Sequence, residues 1–217
     1  MKKRIVVAVV LAVLLAASSY AQTTDFFELA KLGTPQDVQA AISKGADVNA
    51  REKGGGTPLM FAAGYNPRPA VITTLLKTGA DIKAENENGW TPLMFATEYN
   101  QNPEVIITLL KAGADVNTQD YIGVTPLMDA ARNQDPEVIA TLLNAGADIQ
   151  ARDQWSRTPL IWAARTNQNP EVITILLKAG ADAKTKDKLG KTAYYYAQAN
   201  QKLKGTDAYR QLAEASQ

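Results

Sequence analysis

One short motif recurs along the chain at an almost constant interval. Thr-Pro-Leu followed by Met or Ile stands at four places, and a degenerate Thr-Ala-Tyr-Tyr stands at a fifth: Thr57, Thr91, Thr125, Thr158 and Thr192. The intervals are 34, 34, 33 and 34 residues. Gly-Ala-Asp begins 12 residues before each threonine, at Gly45, Gly79, Gly113, Gly146 and Gly180. A period of this length predicts a stack of small, similar units that bury one continuous core between neighbours.

Each unit carries the start and stop signals of two helices. Threonine before proline is a strong helix N-cap, and proline at the first helical position loses no needed N–H. A second start, such as Asn102-Pro-Glu104, places an acid in the first turn, where the helix dipole favours it. The glycine of Gly-Ala-Asp ends that helix as a left-handed residue. A further glycine two residues before the next threonine, such as Gly55, predicts a tight hairpin turn.

These motifs resemble the ankyrin repeat. The chain matches the signature Thr-Pro-Leu-His-x-Ala-Ala … Gly-Ala-Asp-Val-Asn-Ala at most positions, over about residues 24–217. The resemblance implies an all-α solenoid of helix-turn-helix units with projecting β-hairpin loops. We expect four full repeats between two capping units, with these bounds: cap 24–56, repeats 57–90, 91–124, 125–157 and 158–191, and cap 192–217.

The chain departs from that signature at one position of every unit. The signature His is replaced by Met60, Met94, Met128, Ile161 or Tyr195. The inter-repeat hydrogen bonds that this His makes in the family should therefore be absent, and we expect apolar packing in their place. The acids of Gly-Ala-Asp are expected to bond local backbone N–H groups.

The first residues have the pattern of a secretory signal peptide. Met1-Lys-Lys-Arg4 is basic, residues 5–17 are apolar without interruption, and the small residues Ser19 and Ala21 precede a cleavage site at Gln22. An apolar run of 13 residues is well short of the roughly 20 that span a bilayer. We therefore expect cleavage of residues 1–21, a domain over residues 22–217 that is periplasmic or secreted, and no stable membrane insertion after cleavage.

Composition excludes several classes of function. The 217 residues include neither His nor Cys, which rules out His-dependent catalytic pairs, disulfides and the usual zinc or haem ligand sets. We expect no metal, no cofactor and no enzymatic activity, although catalysis by carboxylates or Lys alone stays open. Residues 1–21 hold three of the 23 Lys and Arg residues and no acid, so cleavage leaves 20 cationic against 22 acidic residues, a net charge of −2. That balance does not suit nucleic acid, and we expect a monomer.

The resemblance also implies where a partner binds. In ankyrin proteins, partners dock on the hairpin tips and on the exposed face of the first helix of each repeat. Carried over by register, this gives a candidate partner-binding set: Tyr65, Trp90, Glu98, Tyr99, Tyr121, Asp129, Arg132, Trp155, Arg157 and Arg165. Trp, Tyr and Arg are enriched among interface hot spots. We expect Trp90 and Trp155 to project for recognition. Packing against the neighbouring hairpin is the alternative, and it is equally open for Ile122 and Val124.

The charged members of this set have two interpretations. Glu98, Arg132 and Arg165 share one helical position in successive repeats, which predicts a mixed-charge ladder, serving either a partner of complementary charge or solubility alone. Asp129 stands where the other units have an aromatic residue. We interpret it as a solvated side chain, with a recognition group as the alternative.

The sequence therefore predicts a non-enzymatic protein-protein interaction scaffold that acts outside the cytoplasm on a protein partner whose identity stays open. Two alternatives remain. The first is a secreted effector that uses the same surface. The second is a cell-envelope stress protein, because exported bacterial ankyrin proteins are linked to peroxide defence; that link rests on the resemblance alone.

Overall fold

The computed structural model describes residues 26–100, 102–133 and 136–217, and of Asn133 only the backbone. The predicted signal peptide, residues 1–21, lies outside this part of the chain. The described residues form twelve helices and no β-strand. Their bounds are as follows: α1, 26–32; α2, Pro35–Ser43; α3, Pro58–Tyr65; α4, Pro69–Lys77; α5, Pro92–Tyr99; α6, Pro103–Lys111; α7, Pro126–Asn133; α8, Pro136–Asn144; α9, Pro159–Thr166; α10, Pro170–Lys178; α11, Ala193–Ala197; α12, Asp207–Ala215.

The predicted helix starts are confirmed. The hydroxyl of Thr57 accepts a hydrogen bond from the backbone N–H of Met60 at 3.3 Å, and the same contact recurs at the start of α5, α7, α9 and α11. At the second start, the side chain of Asn102 accepts from the N–H of Glu104 at 3.0 Å. Each cap satisfies a backbone N–H that the helix leaves without a partner.

The helices stack in two layers. The first helices α3, α5, α7, α9 and α11 contact one another in chain order, and so do the second helices from α2 to α12. The Met60, Met94 and Met128 side chains are fully buried, as the apolar-packing prediction requires, and Met128 packs with Val124 and Ala151 of the adjacent loops. Tyr195, the equivalent residue of the terminal unit, differs: it is 50% exposed. The all-α solenoid of helix pairs is therefore confirmed.

Buried asparagines connect successive first helices. Asn100 Nδ2 donates to the carbonyl oxygens of Ala63 at 2.7 Å and Asn66 at 3.0 Å, both in the preceding repeat. Asn66, Asn167 and Asn200 make bonds of the same kind at the ends of their own helices. These amides satisfy buried carbonyl groups that neighbouring α-helices leave open. They provide polar inter-repeat contacts that sequence reasoning did not predict.

The loops between repeats are hairpin turns without strands. Each is closed by two backbone bonds, such as Asn86 N–H to Trp90 O at 3.1 Å and Gly89 N–H to Asn86 O at 3.0 Å. Adjacent loops share one more, such as Glu87 N–H to Gly54 O at 3.1 Å. The predicted glycines have positive φ, including Gly89 at 78°. In the fourth loop Ser156 adopts φ 61°, the single non-glycine residue of the described chain to do so. The β-hairpins of the sequence prediction are thus present as turns only.

None of the helices in the described part of the chain combines the length and the apolar character needed to cross a bilayer.

Candidate partner-binding surface

A polar side chain five residues before each threonine organises every loop tip. Asp120 Oδ1 accepts from the backbone N–H groups of Ile122 at 2.9 Å and Val124 at 2.8 Å. Asn86, Asp153 and Asp187 make the same pair of bonds in their own tips. One oxygen therefore holds the turn, and in the three aspartates the second oxygen stays available for a side chain.

That second oxygen links each tip to an aromatic side chain of a first helix or a neighbouring tip. Asp120 Oδ2 accepts from Trp90 Nε1 at 3.2 Å, and Asp187 Oδ2 accepts from the Tyr196 hydroxyl at 2.5 Å. Burial opposes ionisation of Asp187, but the hydrogen bonds from Tyr196 and from backbone N–H groups outweigh it and lower the pKa of this carboxyl. Burial, and after it the same bond, raise the pKa of the Tyr196 hydroxyl.

We call the exposed side of the first-helix stack the first-helix face. It consists of residues four, seven and eight positions after each threonine, spacings that fall on one side of a helix. Its aromatic and charged members are Phe61, Tyr65, Phe95, Glu98, Tyr99, Asp129, Arg132, Trp162, Arg165 and Tyr196.

Over the first two repeats this face is made mainly of rings. Phe61 contacts Phe95 edge to face at 6.1 Å between centroids, and Tyr65 stacks on Tyr99 at 5.3 Å with 19° between the ring planes. Trp90 closes the cluster, 5.7 Å from Phe95 and 6.0 Å from Tyr99. Tyr65 and Tyr99 are 45% and 44% exposed. These half-exposed rings hold one another in place and form a rigid contact area. Little further side-chain entropy is therefore lost when a partner binds them.

Over the fourth repeat and the terminal unit the rings lie mainly against cations. The Arg157 guanidinium lies between Trp155 and Trp162, 4.2 and 4.1 Å from their ring centroids. Its Nε pairs with Asp153 Oδ2 at 2.7 Å, and Trp162 Nε1 donates to the same oxygen at 3.1 Å. Arg165 lies 5.9 Å from the Tyr196 ring. Guanidinium groups stack on aromatic faces in this way.

Asp129 lies between these two regions. It is only 4% exposed, and its Oδ2 has no hydrogen-bond partner. Burial raises the pKa of this carboxyl to about 8, the negative charges of Glu98 and Asp120 add to the rise, and Arg132 opposes it. Glu98 and Arg132 form an ion pair across α5 and α7. The interpretation of Asp129 as a solvated side chain is therefore wrong.

The structure exposes some of the predicted binding residues and buries others wholly or in part. Tyr65, Tyr99, Tyr121, Trp155 and Arg165 are exposed, as a binding role requires. Arg157 is not presented on its tip: it is 9% exposed, because the buried Asp153 and two indoles enclose it. Trp90 is half-buried and bonded to Asp120, so it packs as well as faces outward. Ile122 is 38% exposed, whereas Val124 packs at 5%.

Sequence reasoning missed the tip acids and their ring partners. Asp120, Asp153 and Asp187 are buried and hold both the turns and the indole or phenol groups above them. The signal was present, because all three stand five residues before a threonine of the repeat. No group of acidic residues with metal-ligand geometry occurs among the described residues.

Comparison with known families adds one finding. A family model described as ankyrin repeats (three copies) matches residues 26–120 and 127–215, which is well over half of the chain. No curated protein matches the sequence.

Proposed function

Because the chain belongs to the ankyrin-repeat family, whose repeats serve as protein–protein interaction scaffolds, we propose that it is a non-enzymatic scaffold that binds its protein partner on the first-helix face and the adjoining loop tips. The observation that carries this proposal is the half-exposed, pre-stacked pair Tyr65 and Tyr99. Exposed aromatic side chains that need no further ordering are the groups from which interface hot spots are built.

Specific binding would be spread over several repeats. A stable complex buries about 1,200–2,000 Å² in total, more than one tip or one helix offers. Exposed aromatic residues follow one another from Tyr65 and Tyr99 to Tyr121 and Trp155. We propose that one monomer of the chain engages one partner along this line.

The test is affinity capture from an envelope extract with the full chain. The binding-face variant replaces four exposed aromatic residues by Ala: Tyr65, Tyr99, Tyr121 and Trp155. A control variant replaces four exposed residues of the second helices by Ala with no change in net charge: Glu104, Lys111, Glu171 and Lys178. We expect the captured protein to be lost with the first variant and retained with the second, both variants having wild-type circular dichroism. Equal capture by both would contradict the proposed surface.

We also propose that the protein acts outside the cytoplasm, in the periplasm or after release. The support is the basic, apolar and small-residue pattern of residues 1–21. Cell fractionation followed by mass spectrometry of the intact protein tests it, with Gln22 expected as the first residue. Retention in the envelope would suit an accessory role in stress defence, and release would suit an effector. A cytoplasmic protein that keeps Met1 would overturn this proposal.

A further inference from the structure

Asp129 breaks the row of rings on the first-helix face. The equivalent positions are Phe61, Phe95, Trp162 and Tyr196. We propose that Asp129 is the receptor for a guanidinium group of the protein partner, bound on the first-helix face between the second and third repeats. This inference rests on the proposed function and deepens it, because it names the chemistry that one part of the surface recognises.

The first support is the unsatisfied oxygen. Asp129 Oδ2 is the single buried side-chain nitrogen or oxygen of the described residues without a hydrogen-bond partner. The other buried carboxylates, for example Asp153, are bonded through both oxygens. A buried acceptor without a partner costs roughly 1–3 kcal/mol. A donor on the protein partner would form the missing hydrogen bond and recover that free energy on binding. Buried unpartnered groups in native structures call for a specific explanation of this kind.

The second support is the balance of charges around this residue. Glu98 and Tyr99 face it from α5, Asp120 from the preceding tip and Arg132 from its own helix. On α9 the equivalent positions hold uncharged Trp162 and exposed Arg165, and α8 contributes only exposed Glu137. When Asp129 is ionised, the described charges that act on it are those of Glu98 and Asp120, which oppose its ionisation, and that of Arg132, which favours it. An added cation would therefore stabilise the ionised form.

The third support is that a guanidinium already fits this part of the face. Arg132 pairs with Glu98 and lies 5.8 Å from the centroid of the Trp162 ring. Its side chain is 30% exposed, so this part of the face is open to solvent. A second, planar guanidinium would bond the Asp129 carboxylate and stack on the flanking rings of Tyr99 and Trp162, a combination that ammonium groups match less well.

Binding at this site is coupled to loss of a proton. In the free protein burial keeps the Asp129 carboxyl protonated at pH 7, since its pKa is about 8. The incoming guanidinium keeps its own proton, because its pKa exceeds 12. The carboxyl proton goes to solvent, and a carboxylate–guanidinium pair forms. Affinity must therefore rise with pH up to about 8 and level off above it, where the carboxyl of the free protein is already ionised.

The experiment uses the full chain and N-acetyl-L-arginine amide as the probe, with the uncharged N-acetyl-L-citrulline amide as its isosteric control. Binding is followed by the NMR signals of the Trp90 and Trp162 indole N–H groups, which lie beside the site. We expect the arginine probe to bind about tenfold more tightly at pH 9 than at pH 7, in proportion to the ionised fraction of Asp129. The citrulline probe should show no such change.

Two variants and one wild-type measurement decide the outcome. Asp129→Asn should abolish the pH dependence, and Asp182→Asn, at an exposed carboxylate, should preserve it. In the wild type the ¹³C carboxyl titration of Asp129 should move to lower pH when the arginine probe is added. The site is refuted if that titration does not move, or if both probes bind alike. Such a result would leave the capture experiment above unaffected, so failure of this site is distinguishable from failure of the scaffold proposal.

Discussion

The two ends of the first-helix face are built from different interactions. Over the first two repeats, aromatic rings support one another, as in the stack of Tyr65 on Tyr99. Over the fourth repeat and the terminal unit, rings contact cations, and one of these cations, Arg157, is fixed by the buried carboxylate of Asp153. We call these regions the ring half and the cation half. Asp129 lies at the boundary between the two halves. It stands at a position where the other units have a ring, and its Oδ2 has no hydrogen-bond partner.

The difference separates two properties of a binding surface. Contacts between rings depend mainly on buried apolar area and tolerate changes in orientation. Contacts among Asp153, Arg157 and the two indoles depend on hydrogen-bond geometry and fail if one member is removed. The ring half is thus suited to supply affinity, and the cation half to fix the register of a partner. Substitutions at equivalent positions in the two halves should differ in cost.

The largest difference is expected at the tip residue five positions before the threonine. Asp153→Ala removes the partner of a cation whose side chain is only 11% exposed, and it leaves Trp162 Nε1 without its acceptor. Loss of one member of a buried ion pair costs about 3–5 kcal/mol. Asn86→Ala, the equivalent change in the ring half, removes only two bonds to backbone N–H groups, at a cost of about 1–2 kcal/mol. Urea denaturation of both variants measures the difference, and equal losses would show that the Arg157 cluster adds nothing beyond the turn.

A pH dependence of stability is expected at the boundary. The pKa of Asp129 is about 8 in the folded chain and roughly 4 when unfolded. Between these values the unfolded state holds fewer protons at this group, so ionisation favours unfolding as pH rises. Relative to Asp129→Asn, the free energy of unfolding of the wild type should fall by up to about 1.4 kcal/mol per pH unit from pH 5 to pH 8. Parallel stability curves for the two proteins over this range would contradict the buried, neutral state of Asp129.

Periodicity made the scaffold predictable. The threonine caps, the helix-ending glycines and the burial of Met60, Met94 and Met128 all follow from local rules applied at a fixed register, and the structure confirms them. The same register gave the exposed Tyr65 and Tyr99, since positions on one side of a helix are set by spacing alone.

The cation half was not predictable in the same way. Arg157 was expected on a tip, but its burial depends on Asp153, four residues earlier, and on Trp162, five residues later, meeting at one oxygen. The bond between Trp90 and Asp120 joins residues 30 positions apart. Asp129 is buried because of neighbours on other helices. Such contacts depend on how side chains of successive repeats meet, which spacing in one chain does not specify.

A smaller effect is expected when the exposed rings of the ring half are removed. The double variant Tyr65→Ala and Tyr99→Ala deletes two rings that are almost half exposed, so the free energy of unfolding should fall by about 1–2 kcal/mol, mainly from the lost ring–ring contact. Phe95→Ala, at a ring only 8% exposed, should cost about 3–5 kcal/mol. Urea denaturation compares the two. A double variant as unstable as Phe95→Ala would mean that the tyrosines are part of the core and are not held for a partner.

The smallest effect concerns the turn residue two positions before the threonine. In the ring half a Cβ at Gly89 would come within 2.6 Å of the Tyr121 ring, so the position excludes a side chain, whereas the cation half accepts Ser156 at φ 61°. A left-handed non-glycine residue costs about 1 kcal/mol. Glycine avoids this cost, but part of the gain is lost because glycine raises the conformational entropy of the unfolded chain. Ser156→Gly should therefore stabilise the protein by about 0.5 kcal/mol. Gly190→Ser, where no atom lies within 4 Å of the added Cβ, should destabilise it by a similar amount. If Ser156→Gly instead lowers the urea midpoint, the Ser156 side chain makes a stabilising contact that outweighs its backbone strain. The difference between the two halves at this turn would then not be explained by steric room for a side chain alone.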